Sequence, residues 1–295
     1  MKLPTFLIAG AQKSGTTSMH LFLRAHSAVF IPQRPQELHF FDLDANYRRG
    51  LGWYAAHFVA AGPAHAALGQ TSPLYIYSPQ APARIAAALP NVKLIFILRN
   101  PLTRAYSHYW HEFKKGYEPL PFPLAIEREP ERLAQGPAAR RHFSYVDRGR
   151  YAGQLARYRH YFSREQMLIL LNENLRQDPV STIDVCCSFL EIERQGAQIV
   201  ARLGQSQFNQ FRVPRSVSVQ RLLAPYRRKL PRLIKLVDML NLKTAAYPPM
   251  DAHSRQILSV LFAEENQRLA EMFNLDLTCW QDARAAEEAN GAKNG

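Results

Sequence analysis

Phe6-Leu7-Ile8-Ala9-Gly10-Ala11-Gln12-Lys13-Ser14-Gly15-Thr16-Thr17 joins a short apolar run to a turn that carries two glycines and a lysine. The apolar run reads as a buried strand, the glycines as the turn, and Thr16 as the start of a helix. That order aims several backbone N–H groups and a helix N-terminus at one point, which makes a site for an anion and above all for a phosphate. The same letters also fit an ordinary strand-to-helix turn, and the rest of the chain decides between the two readings.

The spacing of Gly10 and Gly15 matches a triphosphate-binding loop, but such a loop has Lys directly after its second glycine, where this chain has Thr16. Lys13 stands inside the turn instead. From there it reaches a bridging oxygen or leaving group at the near end of a ligand, and the segment does not argue for a magnesium-bound triphosphate.

Outward from the loop, further strand-like runs occur around Ala67 to Gln70, at Val92 to Leu98 and at Met167 to Leu171, with Thr5 to Ala9 as the first. Helix-like segments alternate with them. One starts near Thr16, and a second takes Ser78 as cap with Pro79 in its first turn and runs to Leu89. A third opens at Asn100 with Pro101, and later ones cover Gly153 to Phe162, Asp178 to Leu190 and Asp251 to Phe273. This is the pattern of an α/β fold with a central parallel sheet flanked by helices on both faces. Ligands bind beyond the carboxyl ends of such strands, which is where Lys13, Gln70, Arg99 and Asn172 fall.

With 295 residues and 47% apolar side chains the chain can bury a large core, and a single domain over 1–281 is expected. Pro and Gly cluster between 116 and 147, which reads as an irregular surface excursion that shapes an acceptor cleft. Residues 282–295 read as a disordered tail. No secretory signal or bilayer-spanning run is apparent. The cysteines are Cys186, Cys187 and Cys279, the first two in a helical pattern that suggests buried thiols. Their spacing matches neither a metal site nor a disulfide framework, so a cytoplasmic chain without a metal is expected.

The formal net charge of +13 predicts attraction to anions without choosing among them. Part of it is concentrated between Arg212 and Lys235, where basic residues interleave with Val219, Leu222, Leu223, Leu230 and Leu233. This segment, 212–249 with its flank, reads as a basic helical lid or acceptor-side element, as a solvated helix face, or as a peripheral membrane contact.

Phosphoryl-transfer enzymes place a carboxylate near the phosphate loop to hold magnesium. Here the strand ends carry Arg99 and Asn172. In Leu94-Ile-Phe-Ile-Leu-Arg99-Asn-Pro-Leu-Thr-Arg-Ala-Tyr-Ser107, Arg99 leaves the strand and Ser107 follows about two turns into the next helix. A guanidinium fork with a hydroxyl makes a second, magnesium-free anion site, so the ligand is expected to be phosphorylated in two places. Arg99 alone would also suit a surface ion pair.

These motifs resemble those of the sulfotransferases that use 3′-phosphoadenosine-5′-phosphosulfate (PAPS). Gly10 to Thr17 is similar to their 5′-phosphosulfate loop, and Leu98 to Ser107 to their 3′-phosphate motif. Gln36-Glu37-Leu38-His39-Phe40-Phe41-Asp42, Gly50-Leu-Gly-Trp53-Tyr54 and Glu265-Asn266 through Trp280 resemble the heparan sulfate type and its bacterial relatives. By that resemblance Lys13 stabilises the charge that develops on the oxygen between phosphorus and sulfur. Gln12, Ser14, Gly15, Thr16 and Thr17 complete the 5′-phosphate cradle, and Arg99 and Ser107 hold the 3′-phosphate. Glu37 matches the general base. His39, two residues on and on the same side of an extended chain, is the alternative base. Trp53 and Tyr54 line the acceptor cleft or belong to the core, and His108 packs or faces solvent. Gln70 and Thr71 stand where the family carries Glu and, in heparan sulfate enzymes, Lys, so no role carries over to them.

The expected function is sulfuryl transfer from PAPS to an acceptor hydroxyl on a sugar or small metabolite, by in-line attack and with no nucleic-acid partner. The rivals are a P-loop nucleotide or metabolite kinase, and a nonenzymatic nucleic-acid or membrane binder that uses the basic segment. A ligand that binds only the native state raises its melting temperature. In EDTA, adenosine 3′,5′-bisphosphate should therefore raise the melting temperature far more than ATP does in differential scanning fluorimetry. Equal shifts, or a need for magnesium, would point to the kinase.

Overall fold

The structure is a computed structural model that describes residues 1–33, 35–204, 212–226, 229–245 and 247–280. The expected tail at 282–295 lies outside the described residues, as do Arg227 and Arg228. The chain forms two compact units whose boundaries interleave along the sequence. One takes Met1 to Arg99 and returns at Tyr151, and the other takes Asn100 to Arg150 and the C-terminal part.

The first unit is built on a five-stranded sheet of β1 (Phe6–Gly10), β2 (Val29–Phe30), β3 (Ala67–Thr71), β4 (Lys93–Leu98) and β5 (Met167–Leu171), in the order β2-β3-β1-β4-β5. Every pairing is parallel, with Phe6 opposite Gly69 and Lys93, and Leu98 opposite Leu171. The α/β expectation therefore holds, and β2 is the strand whose two residues are too short to show a period. Parallel strands covered on both faces are apolar throughout, and β1 and β4 are buried along nearly their whole length. On one face Phe6, Ile8, Ile95 and Ile97 pack with Met19, Phe22 and Leu23 of α1 (Thr16–Arg24) and with Ile183, Cys186 and Cys187 of the helix Pro179–Leu190. On the other, the Phe96 ring meets the edge of Tyr158 from the helix Tyr151–Arg159, with 4.9 Å between ring centroids. The two adjacent cysteines are buried thiols as expected, and burial pushes both thiol pKa values up. Cys279 is exposed.

One helix start differs from expectation. Two short helices, α2 (Asp44–Tyr47) and α3 (Gly50–Ala55), precede β3, and the next, α4 (Ala81–Ala88), begins at Ala81 with Gln80 as its cap. Ser78 does not cap it, because residues 73–77 turn tightly and the Ser78 N–H bonds back to the Leu74 carbonyl. Pro82, rather than Pro79, sits in the first turn.

The second unit opens with α5 (Pro101–Phe113), where the Asn100 side chain caps the Leu102 N–H at 2.9 Å. Residues 116–147 are not irregular. They form three short helices, Phe122–Glu127, Glu129–Leu133 and Pro137–Phe143, each with a proline in its first turn. The prolines that read as breakers are starters, because a first-turn residue has no intrahelical N–H bond to lose. Phe122, Ala125, Ile126, Tyr145 and Val146 join Leu102, Tyr109, Leu258 and Phe262 in this unit's core. The unit also holds an antiparallel pair, β6 (Arg212–Pro214) with β7 (Leu242–Thr244), and the long helix Ala252–Phe273 capped by Asp251.

Gly69 shows how tightly the first unit is packed, since a Cβ there would come within 2.1 Å of the Phe6 ring. Gly69→Ala should lower stability by about 1–3 kcal/mol through overpacking, measured by chemical denaturation. A change within error would mean that Phe6 can turn away.

Candidate active site

The phosphate loop sits where β1 leaves the sheet. The Ala11 N–H donates to the Ile97 carbonyl at 2.8 Å, and the Ser14 N–H turns back to the Ala11 carbonyl at 3.2 Å. Lys13 and Gly15 both adopt positive φ, 70° and 94°. Gly15 is the cap residue of α1, and no side chain caps that helix. The first N–H groups of a helix have no intrahelical partner, so α1 offers them to a ligand. Gly15 also leaves room for the residue that follows β5, since the Asn172 Nδ2 atom would lie 2.5 Å from a Cβ at this position. That amide donates to the Ser14 carbonyl at 3.0 Å and is buried. The sequence places Asn172 at a strand end without a role, and the structure shows it bracing the loop.

Around this turn Gln12, Lys13 and Thr17 are half-buried, while Ser14 and Thr16 are buried. The Ser14 hydroxyl is buried and has no hydrogen-bond partner among the described residues. Arg99, at the end of β4, brings its Nη1 atom 3.4 Å from the Lys13 carbonyl, and its own carbonyl accepts from the Tyr151 hydroxyl at 3.1 Å. Guanidinium and lysine loop are thus neighbours within the first unit. Ser107 is buried on α5 in the second unit. His108 beside it is fully buried and its ring lies 4.9 Å from that of Tyr145, so it packs.

The segment that carries Glu37 and His39 is held from several sides. The Tyr75 hydroxyl accepts from the Phe40 N–H at 3.1 Å, and the Asn46 amide donates to the Leu38 and His39 carbonyls at 3.0 and 3.2 Å. Tyr54 stacks on Phe40 at 4.5 Å and is fully buried, so it belongs to the core. Trp53 is half-buried, with the Arg49 guanidinium 4.1 Å over its ring. His39 itself has φ 48°.

Three side chains form a line here. His39 Nδ1 lies 2.8 Å from Asp42 Oδ2 and its Nε2 lies 3.1 Å from Glu37 Oε2. Burial alone would lower the His39 pKa, but hydrogen bonds to Asp42 and Glu37, and the charges of both, outweigh it and hold the group up at about 9. Both ring nitrogens then carry protons that are already donated to carboxylates. Glu37 keeps 38% of its side chain exposed. Asp42 has no role from sequence alone, although its position three residues after His39 was the available signal. Its Oδ1 atom is buried without a partner among the described residues.

A second histidine behaves oppositely. His20, on α1, lies 3.0 Å from the Thr71 hydroxyl, and burial with the nearby Arg24 charge lowers its pKa to about 4 against the pull of Glu37. The Glu37 charge is therefore felt on the helix that starts at the phosphate loop. At the end of β3 the Gln70 amide is buried and donates to the Thr71 carbonyl at 2.6 Å and the Ser72 hydroxyl at 2.8 Å.

His39 raised above its ordinary 6.5 stabilises the fold fully below pH 6.5 and loses that contribution as pH rises through about 9. In a histidine-resolved NMR titration, His39 should titrate near 9 and His20 near 4. The stability gap between the protein and His39→Asn, up to about 3 kcal/mol, should shrink between pH 7 and 10. A His39 titration near 6.5 would remove the ion-paired line.

The chain matches the sulfotransferase domain over residues 3–229. The bifunctional heparan sulfate N-deacetylase/N-sulfotransferase 3 of Homo sapiens is 30% identical over 283 residues, which cover 92% of this chain and 30% of that protein. The corresponding enzyme 2 of Bos taurus is 32% identical over 282 residues, with the same shares. This chain thus spans 30% of the length of these relatives. A crystal structure of a sulfotransferase from Alicyclobacillus acidocaldarius superposes with a TM-score of 0.70 at 26% identity, over 95% of this chain and 100% of that one. A domain match that covers most of the sequence, on a parallel sheet whose first turn is a phosphate loop, assigns the family: the chain belongs to the sulfotransferases.

Proposed function

We propose that this sulfotransferase passes the sulfuryl group to an acceptor hydroxyl on a sugar or small metabolite, with Glu37 as the general base. The observation that carries the choice of base is the line Asp42–His39–Glu37. An imidazolium whose two N–H groups are committed to carboxylates has no lone pair for an incoming proton, whereas the partly exposed Glu37 carboxylate has. His39 is then a positioning residue that holds one Glu37 oxygen, and Asp42 in turn holds His39.

The donor fits the loop on one further ground. The buried Ser14 hydroxyl has no partner among the described residues, and a buried polar group without one is costly. A phosphate oxygen supplies it with an acceptor. In the reaction the acceptor oxygen forms a bond to sulfur as the bond from sulfur to the bridging oxygen of the 5′-phosphate breaks. The acceptor's proton passes to Glu37. Lys13 and the α1 N–H groups stabilise the negative charge left on the departing phosphate, which is a task of electrostatics and alignment. Arg99 adds positive charge beside the same loop. The named relatives act on heparan sulfate, but Gln70 and Thr71 depart from the heparan pattern, which supports a different acceptor for this chain.

Glu37→Gln keeps the shape and part of the hydrogen bonding but cannot take a proton. Donor turnover, assayed over a panel of sugars, phenols and alcohols, should fall by about two to four orders of magnitude. Affinity for adenosine 3′,5′-bisphosphate by calorimetry should stay within a few-fold. Near-wild-type turnover in Glu37→Gln, together with its loss in His39→Asn, would reverse the two roles.

A further inference from the structure

The basic segment of the second unit plays no part in the chemistry above. Between 212 and 245 the sequence carries nine Lys and Arg residues and one acid, Asp238. That acid is engaged, since its Oδ1 accepts from the buried Gln220 amide at 3.0 Å. At the far end of the helix Pro231–Asn241, Asn241 exchanges hydrogen bonds with the Ser216 backbone at 2.8 and 2.9 Å. On the same inward side Ile234 is buried. The helix is therefore fixed by one face, and what it presents on the other is a built surface.

That outward face is apolar. Leu233, Leu236, Met239 and Leu240 are between 47% and 67% exposed. At 100° per residue they share an arc of about 120°. Lys235 is exposed at the border of this arc, and exposed Leu222, Leu230 and Lys229 continue the same mixture. A surface for nucleic acid needs the positive charge but not a row of exposed leucines. A site for an apolar protein partner needs the leucines but not nine cations. A bilayer interface asks for both, with apolar side chains at the acyl boundary and lysines among anionic headgroups. No described helix is long and apolar enough to cross a membrane, so such contact lies in the plane of the surface.

We propose that the helix Pro231–Asn241 rests flat on an anionic lipid surface, with Leu233, Leu236, Met239 and Leu240 inserted and Lys229 and Lys235 at the headgroups. The proposal is independent of the sulfuryl-transfer reading. Its test is co-sedimentation of the whole chain with vesicles of phosphatidylcholine, with and without phosphatidylglycerol. The chain should pellet with the mixed vesicles and stay in solution with phosphatidylcholine alone. Leu236→Asp with Leu240→Asp should lower the partition at least about tenfold, while circular dichroism and the thermal shift by adenosine 3′,5′-bisphosphate remain as in the parent. No pelleting of the parent on mixed vesicles would overturn the proposal. Pelleting that the double variant retains and that duplex DNA competes away would also overturn it and mark a polyanion surface. So would a concentration-dependent dimer, seen by sedimentation velocity, that the double variant breaks while vesicle binding is nil.

Discussion

The candidate site depends on the approach of the Asn172 side chain to the backbone at Gly15. Asn172 directly follows β5, two strands away from β1, and opens the helix Asn172–Gln177; its amide reaches the Ser14 carbonyl only because no side chain stands at Gly15. With that carbonyl tied to the sheet, the N–H groups of the next residues are left at the start of α1. The positive φ at Gly15 and the absence of a Cβ are thus one requirement seen twice, as backbone conformation and as space. The parallel pairing β1-β4-β5 sets the distance that the amide must cover.

Charge is arranged around this loop by the same economy. Arg99 and Lys13 lie together at the ends of neighbouring strands, which favours a ligand with more than one negative group. Within the same unit, Asp42, His39 and Glu37 make a line in which one cation is shared between two carboxylates. A half-buried imidazole would ordinarily lose its proton, and the two carboxylates reverse that. At His20 burial, with the Arg24 charge, outweighs the pull of Glu37 and drives the group the other way. Two histidines in one unit are thereby set to opposite charge states by their neighbours alone.

The second unit solves a different problem, since it buries carboxylates without a ligand in view. Glu118 is fully buried and accepts from Arg132, the Tyr145 hydroxyl and the Leu120 N–H at 2.8, 2.6 and 2.9 Å. Glu129 accepts from the Val146 and Asp147 N–H groups at 2.6 and 2.8 Å, and burial still pushes its pKa up to about 7. These bonds tie the helix Glu129–Leu133 to Glu118 and to the turn at 144–147. Short helices gain little from propensity, and tertiary contacts of this kind are what hold them.

The sequence by itself determined the alternation of apolar strands and helices, the phosphate loop and the parallel sheet, because each rests on local periodicity and on residues a few positions apart. It also brought Lys13, Arg99, Glu37 and His39 into view as chemistry-bearing side chains. The resemblance already matched Glu37 to the base, but the protonation state of His39 was not legible, because it lies in the contacts with Asp42 and Glu37 that, against burial, hold it at about 9. Local rules also misread 116–147, where a proline signals a break or a start according to what the chain packs against. The brace from Asn172 to Ser14 joins residues 158 positions apart, and the partnerless Ser14 hydroxyl is visible only once its surroundings are folded. Such features belong to the tertiary structure because hydrogen-bond geometry and desolvation are properties of neighbours in space, and the sequence lists only neighbours along the chain.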